Sequence, residues 1–527
     1  MIKKISPKSI YIFLIKLKNL LIRKDQKYFF QIEKFSKLIK VANRNFILLN
    51  NYIFEFNNFI KKKINLKNIK KLIFIVHSKD NNFFEYKLDK KIFKRSLHKN
   101  SFNFLKIDVA NSNKIHIQNN YEFIANPIKI NKKSKKKLVL LIMLDGYGNY
   151  FKNFLPNTNK FFKNSFANVW SNAEWTLPSY SNLITGQRTS RHKCYKNLSH
   201  YSHYFNLSNS KGLINIKTKN IFEYFKDLGF ITSCFSPYVR INPTYNFHHG
   251  VDIFKHCQFN TAEQILENVI SQLEFFKDGS NFIFAHLFDT HSPAKNIMEI
   301  SEFVNHPEKN YNFKVDEHTN GTNLKKAVKV KNEYESIDRI SAFKNTDRKL
   351  KVIYDYLNKS NFEDYTILLF GDHGTRINSQ MSNTNILSKN QNHIGFHIRD
   401  KKVKNFKNKN KIIETIDFLP SLLSRYKHPK YSTKSFDGAN YIFSNSIKEF
   451  SISESVYEPF YQFNIRSKNI NILNKYNFKK DKILNLKSEK IFDNRDKEIL
   501  NVDKISKKEL NYIMNIKKAF IKNNNLK

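Results

Sequence analysis

The segment Trp175-Thr176-Leu177-Pro178-Ser179 reads as a turn opening an apolar-spaced stretch, and it carries a hydroxyl suited to attack. A threonine hydroxyl is a poor nucleophile at neutral pH, so a neighbouring group must share or remove its proton. The chain offers Asp145 upstream and the pair Asp372-His373 far downstream. Two carboxylates and an imidazole could hold a divalent cation that binds Thr176 Oγ, while a second cation polarises the leaving or a non-bridging oxygen. Such a donor set suits zinc or manganese ahead of calcium or magnesium, which prefer oxygen alone. Each residue also has a plainer role. Thr176 would serve as a helix N-cap, and an Asp before Gly is ordinarily a turn residue.

For that chemistry to exist, the elements must bring distant residues together. Residues 138–144 (LVLLIML) form an unbroken apolar run ending in Asp145-Gly146, the pattern of a buried parallel strand. Residues 366–370 (TILLF) repeat it and end in Gly371-Asp372-His373-Gly374. Ligands of open α/β sheets bind at the carboxyl ends of strands, so these two strands could deliver their side chains to one site. Helices are expected over 222–228, closed by Gly229, over 262–276, where Ile265, Leu266, Val269, Ile270 and Leu273 share a face, and over 332–357. Residues 282–288 read as another strand. The polar stretch 302–330 reads as a loop insertion near the mouth of the site.

Taken together, the segments LVLLIMLDGYG, WTLPSYSNLITGQRTSRH, FIFAHLFDTHSP and TILLFGDHG appear in an order that resembles the alkaline phosphatase superfamily, in its sulfatase-like branch. The resemblance runs from about residue 135 to the C-terminus. It implies an α/β fold with an alkaline phosphatase/sulfatase-like core, its mixed and mostly parallel sheet lying between helices. It implies one or two divalent metal ions, with Asp145, Thr176, Asp372 and His373 as ligands of the first. The second ion or the phosphate oxygens would fall to Asp289 and His291 of FDTHSP and to His393 of NQNHIGF, with His397 as the nearby alternative to His393. Arg188 and His192 match a stretch that binds the anion or supports the nucleophile loop. By strand parity His286 faces away from Asp289, which suits the core or a supporting position.

The departures from the family pattern select a branch. Sulfatases resemble C-x-P-S-R or S-x-P-x-R, whose first residue becomes formylglycine; here that residue is Thr176, which cannot yield the aldehyde, and Tyr180 replaces the arginine. Sulfatases also carry two adjacent aspartates after the first strand, whereas Gly146 follows Asp145. Thr with Asp-Gly is similar to the phosphodiesterase and phospho-transferase members. The expected activity is therefore on a phosphodiester or phosphomonoester, with a glycan or lipid acceptor if the group is transferred. Sulfate-ester hydrolysis on a glycan is the runner-up. A non-catalytic protein binding an anionic polysaccharide comes next, and a phosphoglycerate mutase-like isomerase, suggested by LDGYG, comes last because those enzymes use serine.

The rest of the chain bounds these readings. At 527 residues it exceeds one ordinary domain, and its 40% hydrophobic content can fill a large core. The net charge of +46 would suit nucleic acid or an anionic membrane, but the lysines are spread evenly and no RNP, zinc-finger or helix-turn-helix pattern accompanies them. No specific nucleic acid is expected; the charge would steer an anionic ester substrate, an effect that salt weakens. Residues 1–44 read as a basic amphipathic leader, a helix packed on its own protein or touching a membrane surface peripherally. Residues 45–131 read as a small β-sandwich-like accessory module, with strands at 72–76, 83–88, 104–109 and 114–118. The basic run 132–137 is a linker, 135–430 the catalytic core, and 431–527 a small α+β subdomain. Three cysteines without paired spacing, Cys194, Cys234 and Cys257, suggest separate thiols in a reducing compartment. With neither a secretory h-region nor an apolar span recognisable, a cytoplasmic address is the default, although most relatives in this branch face the periplasm or exterior.

Overall fold

The computed structural model describes residues 37–526 apart from 42–43, 50–51, 57–62, 79–80, 119–120, 122, 133–134, 196–213, 216, 238–239, 242–244, 257–260, 292–331, 376–385, 404–405, 407–408, 430–434, 458, 480–481, 502, 504 and 525. Residues 37–129 form one compact unit, and residues 130–195 with 214–526 form another.

In the second unit the central sheet runs in the order Ile253–His256, Ile231–Ser236, Asn281–Leu287, Lys137–Leu144, Asp364–Gly371, Phe396–Asp400, Asn164–Ser165. The first five strands are mutually parallel and the last two pairings are antiparallel. This is the mixed, mostly parallel sheet that the family resemblance implies, and the unbroken apolar runs are its buried parallel strands. Leu138 to Leu144 are completely buried, because helices cover both faces of a parallel sheet and leave no side for polar residues. Each such side chain contributes ~1.5–3 kcal/mol of apolar burial. In this unit the strands read at 138–144, 282–288 and 366–370 sit within two residues of the observed ones, and the helices Ile221–Asp227, Ala262–Phe275 and Asn332–Lys359 lie where periodicity put them. Two of these helices start at capping boxes, Asn220 with Glu223 and Thr261 with Gln264.

Register decides what the sheet can present. Leu144 is paired with Leu287 on one side and with Gly371 on the other. The next residues along the two neighbouring strands, Asp145 and Asp372, therefore emerge side by side at the carboxyl end. The C-terminal part is an antiparallel meander, Ser451–Tyr457, Phe460–Arg466, Ile470–Lys479 and Lys482–Asp493, closed by the helix Lys507–Asn523. That helix buries Ile513 and Phe520 against Phe463, Ile465 and Tyr476.

The first unit is β-rich. Ile69–His77 pairs antiparallel with Phe102–Asp108 and with Phe123–Ile124. A second antiparallel sheet runs Lys63–Asn65, Lys114–Ile117, Phe83–Leu88, Lys91–Ser96. Leu72, Phe74 and Val76 of one sheet share a core with Phe84, Tyr86, Ile115 and Ile117 of the other. The strand Lys91–Ser96 was not expected from sequence. Every residue in it is exposed, so it lacks the apolar alternation that marks a half-buried strand. The leader needs a correction where it is described, since Lys37–Val41 is a strand paired with Arg44–Leu49 and does not continue a helix. Residues 1–36, the insertion 302–330 and Cys257 lie outside the described residues. Cys194 and Cys234 are buried free thiols. Among the described residues no helix is long and apolar enough to cross a membrane.

Candidate active site

Asp145, Asp372 and His373 bring one ligand atom each to within 4.8 Å of one another. Thr176 joins them, its Oγ1 donating to Asp145 Oδ2 at 3.2 Å and lying 3.5 Å from His373 Nε2. Sequence separations of about two hundred residues thus close into one cluster through strand register. Thr176 is the first residue of the helix Thr176–Thr185, every residue of which is buried. Pro178 is tolerated there because the first turn has no backbone acceptor for its missing N–H. The helix is tied to the second strand end, since the hydroxyls of Ser171 and Ser179 both donate to the Asp372 carbonyl. Its far end is closed by Gly186 at φ +64°, whose N–H donates to the Asn182 carbonyl.

Each aspartate has one oxygen occupied and one left over. Asp372 Oδ1 accepts from the backbone N–H groups of Gly146 and His373, both at 2.9 Å. Asp145 Oδ2 accepts from Thr176 and lies 3.2 Å from His286 Nε2. The remaining atoms, Asp145 Oδ1 and Asp372 Oδ2, are buried without a hydrogen-bond partner. His373 Nε2 lies 3.8 Å from the first and 3.4 Å from the second. Its Nδ1 is 2.7 Å from the Gly374 carbonyl. A carbonyl only accepts, so Nδ1 carries the proton and Nε2 turns its lone pair to the two free oxygens. Burial drives the Asp145 carboxyl well above its ordinary range, and the Asp372 charge adds to the rise. Buried carboxylate oxygens without donors are costly unless a cation meets them, so this set of two oxygens, one imidazole nitrogen and a hydroxyl fits a divalent metal ion.

His286 supports the cluster from the neighbouring strand. Its partner in register is Met143, and residues 143 and 145 point to the same side, which turns the His286 ring to Asp145. Burial lowers His286 to about 4, so at neutral pH its Nε2 makes a neutral hydrogen bond with Asp145, and its Nδ1 lies 3.3 Å from Ser236 Oγ. Strand parity alone separated this histidine from Asp289. Register across the strand pair was the missing signal.

The other residues expected at the site have contacts of their own. Arg188 is engaged by other groups: its two terminal nitrogens reach the two oxygens of Glu414 at 3.0 Å each, and one also donates to the Ile452 carbonyl. Burial opposes its charge, yet Glu414 holds the guanidinium above its ordinary value. Asp289 stands outside the Asp145, Asp372 and His373 cluster. One oxygen accepts from the Ala262 N–H at the start of the helix Ala262–Phe275, and the other pairs with Lys349 at 3.0 Å. A helix N-terminus and a buried lysine satisfy the carboxylate where it stands. His393 stacks on Trp170 with centroids 4.6 Å apart and directs Nε2 to the Ala167 carbonyl. The alternative, His397, bonds to the Tyr147 hydroxyl at 2.9 Å. His192 supports the helix Thr176–Thr185 through Asn182 Oδ1. His291 stays in the turn after Asn281–Leu287, half-buried, with its ring stacked on Phe288; the preceding Thr290 donates to the Asp145 carbonyl. Tyr180, where a sulfatase-type arginine would stand, is fully buried among Phe247 and Phe284.

Comparison with known proteins places the fold. The family profile described as Sulfatase matches residues 137–427, more than half of the chain. Among solved structures, a Bacteroides fragilis protein solved as a candidate sulfatase superposes with a TM-score of 0.56 at 14% identity, covering 75% of this chain and 97% of its own. The protein BT4656, solved in complex with its substrate D-glucosamine-2-N,6-O-disulfate, gives 0.54 at 13% identity and covers 75% and 98%. The phosphonate monoester hydrolase of Silicibacter pomeroyi gives 0.51 at 13%, with 74% and 93%. A sequence search of curated proteins finds no match.

Proposed function

We propose, from the premise that this chain belongs to the sulfatase family and is a hydrolase of the alkaline phosphatase superfamily, that it cleaves phosphate esters through Thr176. The observation that carries this reading is the pair of orphaned buried oxygens, Asp145 Oδ1 and Asp372 Oδ2, facing His373 Nε2 beside the Thr176 hydroxyl. Asp145, Asp372, His373 and Thr176 would hold one divalent cation, zinc or manganese by donor type. When bound, such an ion increases the acidity of the hydroxyl and offsets the charge of the transferring group.

The chain's own atoms account for the remaining steps. Thr176 Oγ attacks phosphorus as the bond to the leaving alkoxide breaks, and its proton passes to Asp145 Oδ2, the atom to which it already donates. His286 on the same Oδ2 keeps that carboxylate from rotating. The leaving oxygen takes a proton from His291, in the turn that Thr290 ties to Asp145. Water then cleaves the threonine phosphate, or an acceptor hydroxyl does so in a transferase. Phosphate is favoured over sulfate because Thr176 cannot become formylglycine and Tyr180 is packed into the core, away from any anion. By analogy with relatives solved on sulfated sugars, the ester is carried on an anionic glycan.

The test is a screen of the manganese- and zinc-loaded protein on bis-nitrophenyl phosphate, nitrophenyl phosphate and nitrophenyl sulfate, with Thr176→Ala and Thr176→Ser alongside. Release of nitrophenol from a phosphate ester, lost in Thr176→Ala and partly kept in Thr176→Ser, is expected. Turnover confined to the sulfate ester would replace this reading with the sulfatase one, and full turnover in Thr176→Ala would remove the nucleophile.

A further inference from the structure

Away from the catalytic cluster, a cavity of about 940 Å³ opens among the C-terminal meander, its closing helix and the segment 389–393. Its walls carry seven cationic side chains against two carboxylates, Glu449 and Glu509. Glu509 is already occupied by Ser467 and Asn469, and Glu449 is hydrogen-bonded with Tyr512. Four of the cations, Lys389, Lys409, Lys468 and Lys508, make no ion pair among the described residues. The fifth, Arg466, is anchored by Asp496 at 2.7 Å and lies 5.0 Å from the centroid of the Trp170 ring.

We propose that this cavity is a second anion-binding site, built to hold a saccharide bearing several sulfate or phosphate esters. Unpaired lysines spaced around one concavity repel one another, and a multiply charged anionic ligand relieves that repulsion at several of them at once. Asn168, Asn410, Asn494 and Ser506 stand between the cations and offer hydrogen bonds that sugar hydroxyls can accept or donate. A nucleic acid fits poorly. Trp170 is covered by the stacked His393 ring and by Arg466, so it offers no free aromatic platform to a base. The site is also wired to the catalytic cluster: Lys389 and His393 line the cavity, while Gln391 between them donates to the Glu174 carbonyl beside Trp175 and accepts, through its own carbonyl, the Gly374 N–H next to His373.

The experiment measures binding of fluorescent sulfated maltohexaose, phosphorylated maltohexaose, unmodified maltohexaose and a short single-stranded DNA to the full-length protein carrying Thr176→Ala, so that catalysis plays no part. One or both esterified sugars should bind, which of them telling the source of the anion, with an affinity that falls as salt rises. The double variant Lys409→Glu/Lys468→Glu, altering two exposed side chains, should weaken that binding tenfold or more. In the otherwise native protein the same double variant should leave turnover of nitrophenyl phosphate esters unchanged, which separates this site from the catalytic one. Equal binding of unmodified maltohexaose, tighter binding of the DNA, or unaltered affinity in the double variant each overturns the proposal.

Discussion

Arg188→Ala distinguishes a structural arginine from one that touches substrate. The native guanidinium makes a bidentate pair with Glu414 and a further bond to the Ile452 carbonyl; its side chain is 11% exposed and that of Glu414 is fully buried. Removing one partner of a buried pair costs ~3–5 kcal/mol, because the other charge stays buried. Here Glu414 keeps Lys448, the Asn172 side chain and the Ile452 N–H as donors, which places the loss at the low end, about 3 kcal/mol. For a denaturant slope of about 3 kcal/mol/M, the urea midpoint should fall by about 1 M. Arg188→Lys should recover part of the shift, since one ammonium cannot span both carboxylate oxygens. Ester turnover per folded molecule, measured well below the new midpoint, should stay within about threefold of the native rate, because an arginine clamped on Glu414 is not in the reaction. A variant with an unmoved midpoint and turnover reduced by orders of magnitude would refute this reasoning and return Arg188 to the anion.

Acid should act through the same network. Burial alone would push the Glu414 carboxyl up, but Arg188 and Lys448 outweigh it and hold it at about 2 against an ordinary 4.5. A folded-state value below the unfolded one means that this stabilisation is complete above pH about 4.5 and disappears as pH falls towards about 2. Urea midpoints across that window should decline, less steeply in Glu414→Gln; an identical slope in the variant would assign the decline to other groups. Gly371→Ala should displace the neighbouring Asp372, since a Cβ there would sit 2.2 Å from the Tyr147 carbonyl oxygen. A lowered melting temperature together with weakened manganese binding is expected, and an unchanged melting curve would contradict the packing. His286→Ala removes one of two donors that fix Asp145 Oδ2, and loss of such a supporting group costs ~10–100-fold in metal affinity or rate. Titration calorimetry with manganese and the kcat of the loaded protein check it; native values for both would make His286 a core residue only.

The central strands were legible because a parallel sheet buried on both faces writes itself as an unbroken apolar run, and the residue after each run marks the carboxyl end. Asp145 and Asp372 needed no more than that. Asp289, Arg188 and His393 were placed by motif position, and motif position carries no information about the partner across the fold. Lys349, Glu414 and Trp170, which occupy these side chains, lie 60, 226 and 223 residues away in sequence, so the claims they make appear only when the chain is folded. His286 shows the converse. Its role depends on whether it registers with residue 143 or with a neighbour one place along, and a slip of one would turn it to the opposite face.

Gly146 shows how a departure from the family pattern becomes chemistry. Its φ of +66° is a conformation that side-chain-bearing residues rarely adopt, and a Cβ there would stand 3.1 Å from Thr375 Oγ1. The second aspartate that sulfatases carry at this point is therefore disfavoured by the backbone this chain has chosen. In its place the Gly146 N–H donates to Asp372 Oδ1. One prospective anionic ligand has been exchanged for a backbone donor that fixes the rotation of another. The cluster is left with two free carboxylate oxygens, one imidazole and one hydroxyl, fewer oxygens than the six to eight that calcium collects. On that ground the same glycine that departs from the paired aspartates of the family pattern also accords with the proposed ion of the zinc or manganese kind.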